Sequence, residues 1–240
     1  MSSTLRQSQS LSAAQLEALI NERARFKQRS HDTHTEVHQP QLENSSLTTV
    51  CDVSSQINIV LLGDSMLERF KTTGKNTQIG QLPYPQVFNA GVGGDKIENI
   101  FYRIQLGLFN MLKNKNPKLI VLQVGTNNLR PKRALHGLEL DNYHLLLQSL
   151  LIVFPIQTQI LVTALFKRTD VDEQCVAQSN AAIKQFVDSI NTQGNNRLHW
   201  MESPDEIQLH HLADNVHLNE HGYEIWDAKL YSKIQQLLNT

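Results

Sequence analysis

From residue 56 to the end of the chain, short runs of Val, Ile and Leu alternate with longer amphipathic stretches. The runs are INIVLLG (57–63), VFNAG (87–91), KLIVLQVG (118–125), QILVTAL (159–165) and RLHWME (197–202). A strand with one wet face alternates apolar and polar residues. Most of these runs do not, so both faces of their sheet must be covered. Helical patterns lie between them near 95–114, 137–153 and 173–191, and a last one at 219–238 closes the chain. Strands separated by helices predict a parallel sheet inside a three-layer α/β/α domain. Ligands of such sheets sit at the carboxyl ends of the strands. The residues just past each run are therefore the candidates for chemistry.

Residues 1–55 read as an N-terminal extension to a domain over 56–240. They are rich in Ser, Gln, Thr and His. Ser12-Ala-Ala-Gln15 matches a capping box, and Leu16, Leu19 and Ile20 follow at helical spacing. The expectation is a helix over about 12–28, then a loose polar linker over roughly 30–54. Arg23, Arg25, Lys27 and Arg29 read most simply as a solvated face. His31, His34 and His38 have no thiolates near them and make a poor metal site.

Composition narrows the function. The 240 residues carry a net charge of -1, without the basic surplus that nucleic-acid binding uses. Cys51 and Cys175 are far apart and form no CxxC, so no cysteine zinc site or disulfide framework is indicated. No run approaches about 18 apolar residues, so no membrane span is expected. The N-terminus lacks an apolar signal core and carries Glu17 and Glu22; a cytoplasmic protein is the expectation.

Polar clusters stand at the strand ends. Gly63-Asp64-Ser65 follows the first strand, Asn89-Ala-Gly91-Val-Gly93-Gly94-Asp95 the second, and Gly125-Thr126-Asn127-Asn128 the third. Asp214-Asn-Val-His217 precedes the last helix. A serine hydroxyl becomes a nucleophile when a base takes its proton, and His217 is the candidate base. Asp214 can orient it through the other ring nitrogen. An oxyanion needs donors, which the N–H groups of Ser65 and Gly94 and the amide of Asn127 can supply. Asp64 reads as a carboxylate that ties down the turn. The glycines fail the dinucleotide pattern, since the sixth position from Gly91 is Lys96.

At these blocks the sequence resembles the SGNH, or GDSL, hydrolase family. Ser65 in GDSM, Gly94 in NAGVGGD, Asn127 in GTNN and His217 in DNVH match its Ser, Gly, Asn and His in order. GDSM, GVGGD and VGTNN look most like the branch holding the catalytic subunits of intracellular platelet-activating-factor acetylhydrolase. The resemblance implies a flavodoxin-like five-stranded sheet in the order 2-1-3-4-5. It also implies a metal-free and cofactor-free ester hydrolase preferring short acyl groups. Met66 replaces the leucine of the family name, and Leu218 follows the histidine where many relatives have proline.

Rival readings are a non-catalytic binding module of the same fold and a metal-dependent hydrolase. The second uses the histidine-rich stretch 210–221, where His217-Leu-Asn-Glu220-His221 fits H-x-x-E-H. Asn219 looks like an N-cap, which would leave His217 outside the helix. His210, His211 and His221 then read as surface or loop residues. Met66, Thr126 and Val216 are candidates for the acyl pocket. Arg130 and Arg168, with Lys132, Arg133 and Lys167, sit on loops where they would be solvated or attract an anionic leaving part. A small-molecule ester (an acetylated lipid, sugar or metabolite) is the expected partner. A homodimer is compatible with the sequence but not indicated by it.

Overall fold

The computed structural model describes residues 12–44 and 57–239. Strands β1 (Ile59–Gly63), β2 (Val87–Gly91), β3 (Leu119–Gln123), β4 (Gln159–Thr163) and β5 (Leu198–Met201) form one sheet. Its order is β2-β1-β3-β4-β5 and every neighbouring pair is parallel, as the resemblance implied. Each strand falls within its predicted run.

The helices are α1 (Ala13–Arg23), α2 (Gln28–Asp32), α3 (Gln39–Asn44), α4 (Ser65–Glu68), α5 (Ile97–Gln105), α6 (Leu108–Lys113), α7 (Leu138–Val153), α8 (Glu173–Thr192) and α9 (Glu220–Leu238). One helix was predicted over 95–114. The structure has two, α5 and α6, because Gly107 between them takes φ 92. Among the described residues no helix is long and apolar enough to cross a membrane.

The two-residue period of the strands divides the core. Val60 and Leu62 of β1, Ile120 and Leu122 of β3, and Ile160 and Val162 of β4 pack in one cluster with residues of α1, α3 and α5 to α8. Ile59, Leu61, Leu119, Val121 and Leu161 pack on the other face with α4 and α9, around Phe70, Tyr223 and Trp226. Each such fully buried aliphatic side chain contributes about 1.5–3 kcal/mol.

The N-terminal segment departs most from expectation. Its capping box is present: Ser12 Oγ accepts the Gln15 N–H at 3.3 Å, and Gln15 Oε1 accepts the Ser12 N–H at 2.9 Å. Leu16 and Ile20 are buried, and α1 packs on α5 and α7. α1 ends at Arg23 rather than near 28, where Ala24 turns extended (φ -59, ψ 139). The expected loose linker is helical as far as Asn44, through α2, a π-helical turn over Thr33–His38, and α3. Its remainder, with Cys51, lies outside the described residues.

The reason is a buried stripe at steps of four: Ser30, His34, His38 and Leu42. Positions four apart drift by about 40° on a straight α-helix. The π turn takes up an extra residue and keeps the stripe facing inward. His34 Nε2 meets the Leu106 carbonyl at 3.3 Å, and the His38 ring sits edge-on to Phe88 with centroids 5.5 Å apart. Burial pushes His34 down to about 4 and His38 to about 2, so both are neutral core residues near pH 7.

Candidate active site

Gly63 at the end of β1 is in register with Gly91 of β2 and Gln123 of β3. The blocks that follow these strands therefore emerge side by side. Asp64 is extended and caps α4, its Oδ1 accepting the Met66 N–H at 2.9 Å. Burial lifts its carboxyl to about 7; the Met66 hydrogen bond opposes the rise and nearby Asp95 adds to it. Ser65 is thereby the first residue of α4 and is 6% exposed. Glycine at 91 permits α4 to lie on β2, since a Cβ there would stand 2.4 Å from the Glu68 nitrogen.

The histidine comes from the other end of the chain. Asn219 caps α9 by accepting the Gly222 N–H at 2.9 Å, so His217 stands ahead of the helix. An antiparallel bridge between Leu212 and Leu218 closes the loop that carries Asp214 and His217. His217 Nε2 lies 2.9 Å from Ser65 Oγ, and Nδ1 lies 2.7 Å from Asp214 Oδ2. With the proton on Nδ1, the ring donates to the carboxylate and accepts from the serine hydroxyl. Asp214 Oδ1 accepts the N–H groups of Val216 and His217, each at 2.8 Å. Desolvation raises the Asp214 pKa, but the backbone and ring of His217 and the Val216 N–H outweigh it and hold it at about 2.

The third part of the site is the turn after β2. Gly94 adopts φ 74, a left-handed conformation that favours glycine, and the Asp95 N–H returns to the Val92 carbonyl at 3.1 Å. The Asp95 carboxylate is buried. It meets Arg103 Nη2 at 2.9 Å, Lys27 Nζ at 3.6 Å and the Ser30 hydroxyl. Arg103 also donates to the Ala90 carbonyl at 2.8 Å. The Asp95 carbonyl accepts one N–H of the Asn127 amide at 2.9 Å, which leaves the second N–H for another acceptor. Ser65, His217 and Asp214 thus form one hydrogen-bonded line, and Asn127 is tied to the turn that carries Gly94.

Residues 61–225 match the model of the GDSL-like lipase/acylhydrolase family. The chain belongs to this family. It is 28% identical over 162 residues to platelet-activating factor acetylhydrolase IB subunit alpha2 of Homo sapiens, a match covering 62% of this chain and 65% of that protein. The match thus spans just under two thirds of that relative's length. A subunit beta homolog from Drosophila melanogaster is 27% identical over 192 residues, covering 76% of this chain and 79% of its own. Esterase EstA from a Pseudoalteromonas species superposes with a TM-score of 0.52 at 14% identity, covering 76% of this chain and 99% of that one. Carbohydrate acetylesterase Est24 from Sinorhizobium meliloti gives 0.56 at 13%, covering 76% and 100%. At these identities the two solved structures speak for the fold.

Several candidate site residues lie elsewhere than the sequence suggested. Met66 is 1% exposed and packs in the core shared with α9, beneath the site rather than on its surface. Thr126 is buried, and its carbonyl accepts Arg168 Nη1 at 2.6 Å. Arg168 also grips Asp170 through Nε at 2.9 Å and Nη2 at 2.7 Å, so it braces the Asn127 loop. Arg130 lines a cavity of about 290 Å³ with Arg23, Arg25, Arg133 and His136, to which Ser65, Gly94 and Asn127 do not contribute. Arg133 and Lys167 are engaged by Glu139 and Glu173. Val216 is half-buried beside the His217 loop.

Around the histidines, both ring nitrogens of His217 are engaged by Asp214 and Ser65, and His221 Nδ1 meets Glu224 at 3.0 Å. This arrangement gives the zinc-peptidase reading no support. His211 is buried rather than superficial, and its Nδ1 accepts the Gln208 N–H at 3.0 Å. Sequence reasoning missed Lys27, Ser30 and Arg103 as partners of Asp95. The one signal available was an arginine at position 103, in the apolar stripe of Ile97 and Ile100.

Proposed function

We propose that the protein hydrolyses a carboxylic ester with a short acyl group, acetyl first, through an acyl-enzyme on Ser65. The observation that carries this reading is the line Ser65 Oγ–His217–Asp214, with spacings of 2.9 and 2.7 Å. His217 Nε2 takes the hydroxyl proton as Oγ attacks the ester carbonyl. Asp214, anionic over the working pH range, keeps the ring in its tautomer and stabilises the imidazolium. The oxyanion is met by the N–H groups of Ser65 and Gly94 and by the second N–H of the Asn127 amide. Ser65 opens a helix, where no i−4 carbonyl competes for its N–H. The alcohol departs with the proton from His217. Water then gives a proton to His217, attacks the acyl group and releases the acid with Ser65 restored.

The acetyl preference is supported by the relatives, which are acetylhydrolase subunits, and by a structural neighbour, a carbohydrate acetylesterase. A cytoplasmic setting belongs to the reading and rests on the sparse cysteine content. The test is hydrolysis of p-nitrophenyl acetate, butyrate and octanoate, with and without EDTA, beside Ser65→Ala. EDTA-resistant turnover, fastest for acetate and lost in the variant, is expected. Equal turnover in the variant would sink the serine mechanism, no turnover by the wild type would favour the binding module, and loss with EDTA would revive the metal reading.

A further inference from the structure

Resting on the reading in which Gly94 and Asn127 hold the oxyanion, we propose that the N-terminal segment completes the active site. In this proposal Lys27 and Ser30 are positioning residues that hold the oxyanion turn through Gly93 and Asp95. The segment does not merely cover the hydrophobic surface of α5 and α7. Between α1 and α2 it crosses to the turn after β2. The Arg25 N–H donates to the Glu98 carbonyl at 2.9 Å, and Asn99 Nδ2 donates to the Arg25 carbonyl at 2.9 Å. These bonds seat the segment against the first turn of α5, just beyond Asp95.

From there Lys27 Nζ donates to the Gly93 carbonyl at 2.7 Å and lies 3.6 Å from Asp95 Oδ1. The ammonium stands beside Gly94 itself, 2.7 Å from where a Cβ on that glycine would be. Ser30 is fully buried, and its hydroxyl donates to Asp95 Oδ1. Arg29 fixes the same crossing to α4, its Nη2 reaching both carboxylate oxygens of Glu68 at 2.9 and 3.0 Å.

Lys27 and Ser30 converge on Asp95, whose carbonyl sets the Asn127 amide and whose N–H closes the Gly94 turn. A buried carboxylate is costly unless cations and donors surround it. Arg103 supplies one cation from within the domain; Lys27 and Ser30 supply the rest from the extension. Removing either leaves Asp95 under-compensated, and the turn relaxes away from the position that aims Gly94 N–H and Asn127. Preorganised donors work only while they are held in place, and losing one outright costs about 10²–10³ in kcat. Loosening the turn that carries them should cost less, about tenfold.

The experiment is steady-state kinetics on p-nitrophenyl acetate with the full chain carrying Lys27→Met, Lys27→Arg, Ser30→Ala or Ser30→Thr, with melting temperatures alongside. A kcat about tenfold lower in Lys27→Met and Ser30→Ala is expected, with KM within about twofold and most of the loss restored in the Arg and Thr variants. The rate of Ser65 phosphonylation should fall in parallel, because that reaction uses the same oxyanion donors. Lys27 is part-exposed, so Lys27→Met keeps the test decisive even if Ser30→Ala fails to fold. Wild-type kcat in Lys27→Met, a change confined to KM, or a loss that Lys27→Arg does not restore would each overturn the proposal. An inactive wild-type protein, or turnover unaffected by Ser65→Ala, would instead overturn the esterase reading on which it rests.

Discussion

The strand-end rim and the N-terminal segment are held in different ways. At the rim, sheet register does the positioning: Gly63, Gly91 and Gln123 stand level, and short turns carry Ser65, Gly94 and Asn127 from there. The N-terminal segment is anchored by side chains, namely Ser30, His34, His38 and the arginine pair with Glu68. The difference teaches where each region is vulnerable. Asp214 at the rim stays anionic until about pH 2, whereas His34 and His38 must stay neutral to remain buried.

The largest expected effect lies at the rim. Ser65→Ala should lower kcat for p-nitrophenyl acetate by about 10⁴-fold or more while leaving the melting temperature within a few degrees. Next comes Asn127→Ala, expected to cost about 10² in kcat at little change in KM, because in the proposed mechanism it removes one oxyanion donor. A loss confined to KM would mean that Asn127 binds substrate rather than the transition state.

Acid should separate the two regions. The folded pKa values of His34 (about 4) and His38 (about 2) lie below their ordinary value, so the unfolded segment binds more protons. Their contribution to docking is complete above about pH 7 and is lost as pH falls below about 6.5, at up to about 1.4 kcal/mol per pH unit for each. Asp64, raised to about 7, works in the opposite sense, since its folded form gains a proton first as pH falls. It belongs to the rim, so segment-resolved hydrogen exchange distinguishes the two. Amides of 28–44 should lose protection between pH 6.5 and 5 while β1 and β3 keep theirs, and loss of protection in both together would erase the distinction.

The smallest effect is expected at Arg168. Because it grips Thr126 and Asp170, Arg168→Gln should lower turnover of neutral and anionic esters alike, by about threefold to tenfold. A loss specific to anionic esters would return Arg168 to the role of an anion hook.

What could be read from the sequence follows the same division. The apolar runs gave away the sheet because a strand covered on both faces has few residue types to choose from. The candidate residues Ser65, Gly94, Asn127, Asp214 and His217 could be picked out because backbone geometry puts strand-end blocks on one rim, and the structure joins Ser65, His217 and Asp214 by hydrogen bonds. The stripe Ser30, His34, His38 and Leu42 was not, since it buries polar side chains at a four-residue step that only a π turn keeps inward. Met66 misled for a related reason. Adjacency to Ser65 in sequence says nothing of direction on a helix, and its side chain faces the α9 core.

Mass-spectrometric mapping of a fluorophosphonate adduct tests the central claim most directly. A single phosphonyl group on Ser65 is expected, formed in step with loss of esterase activity and abolished by His217→Ala. A label on another residue, or full ester hydrolysis after Ser65 has been stoichiometrically modified, would contradict it.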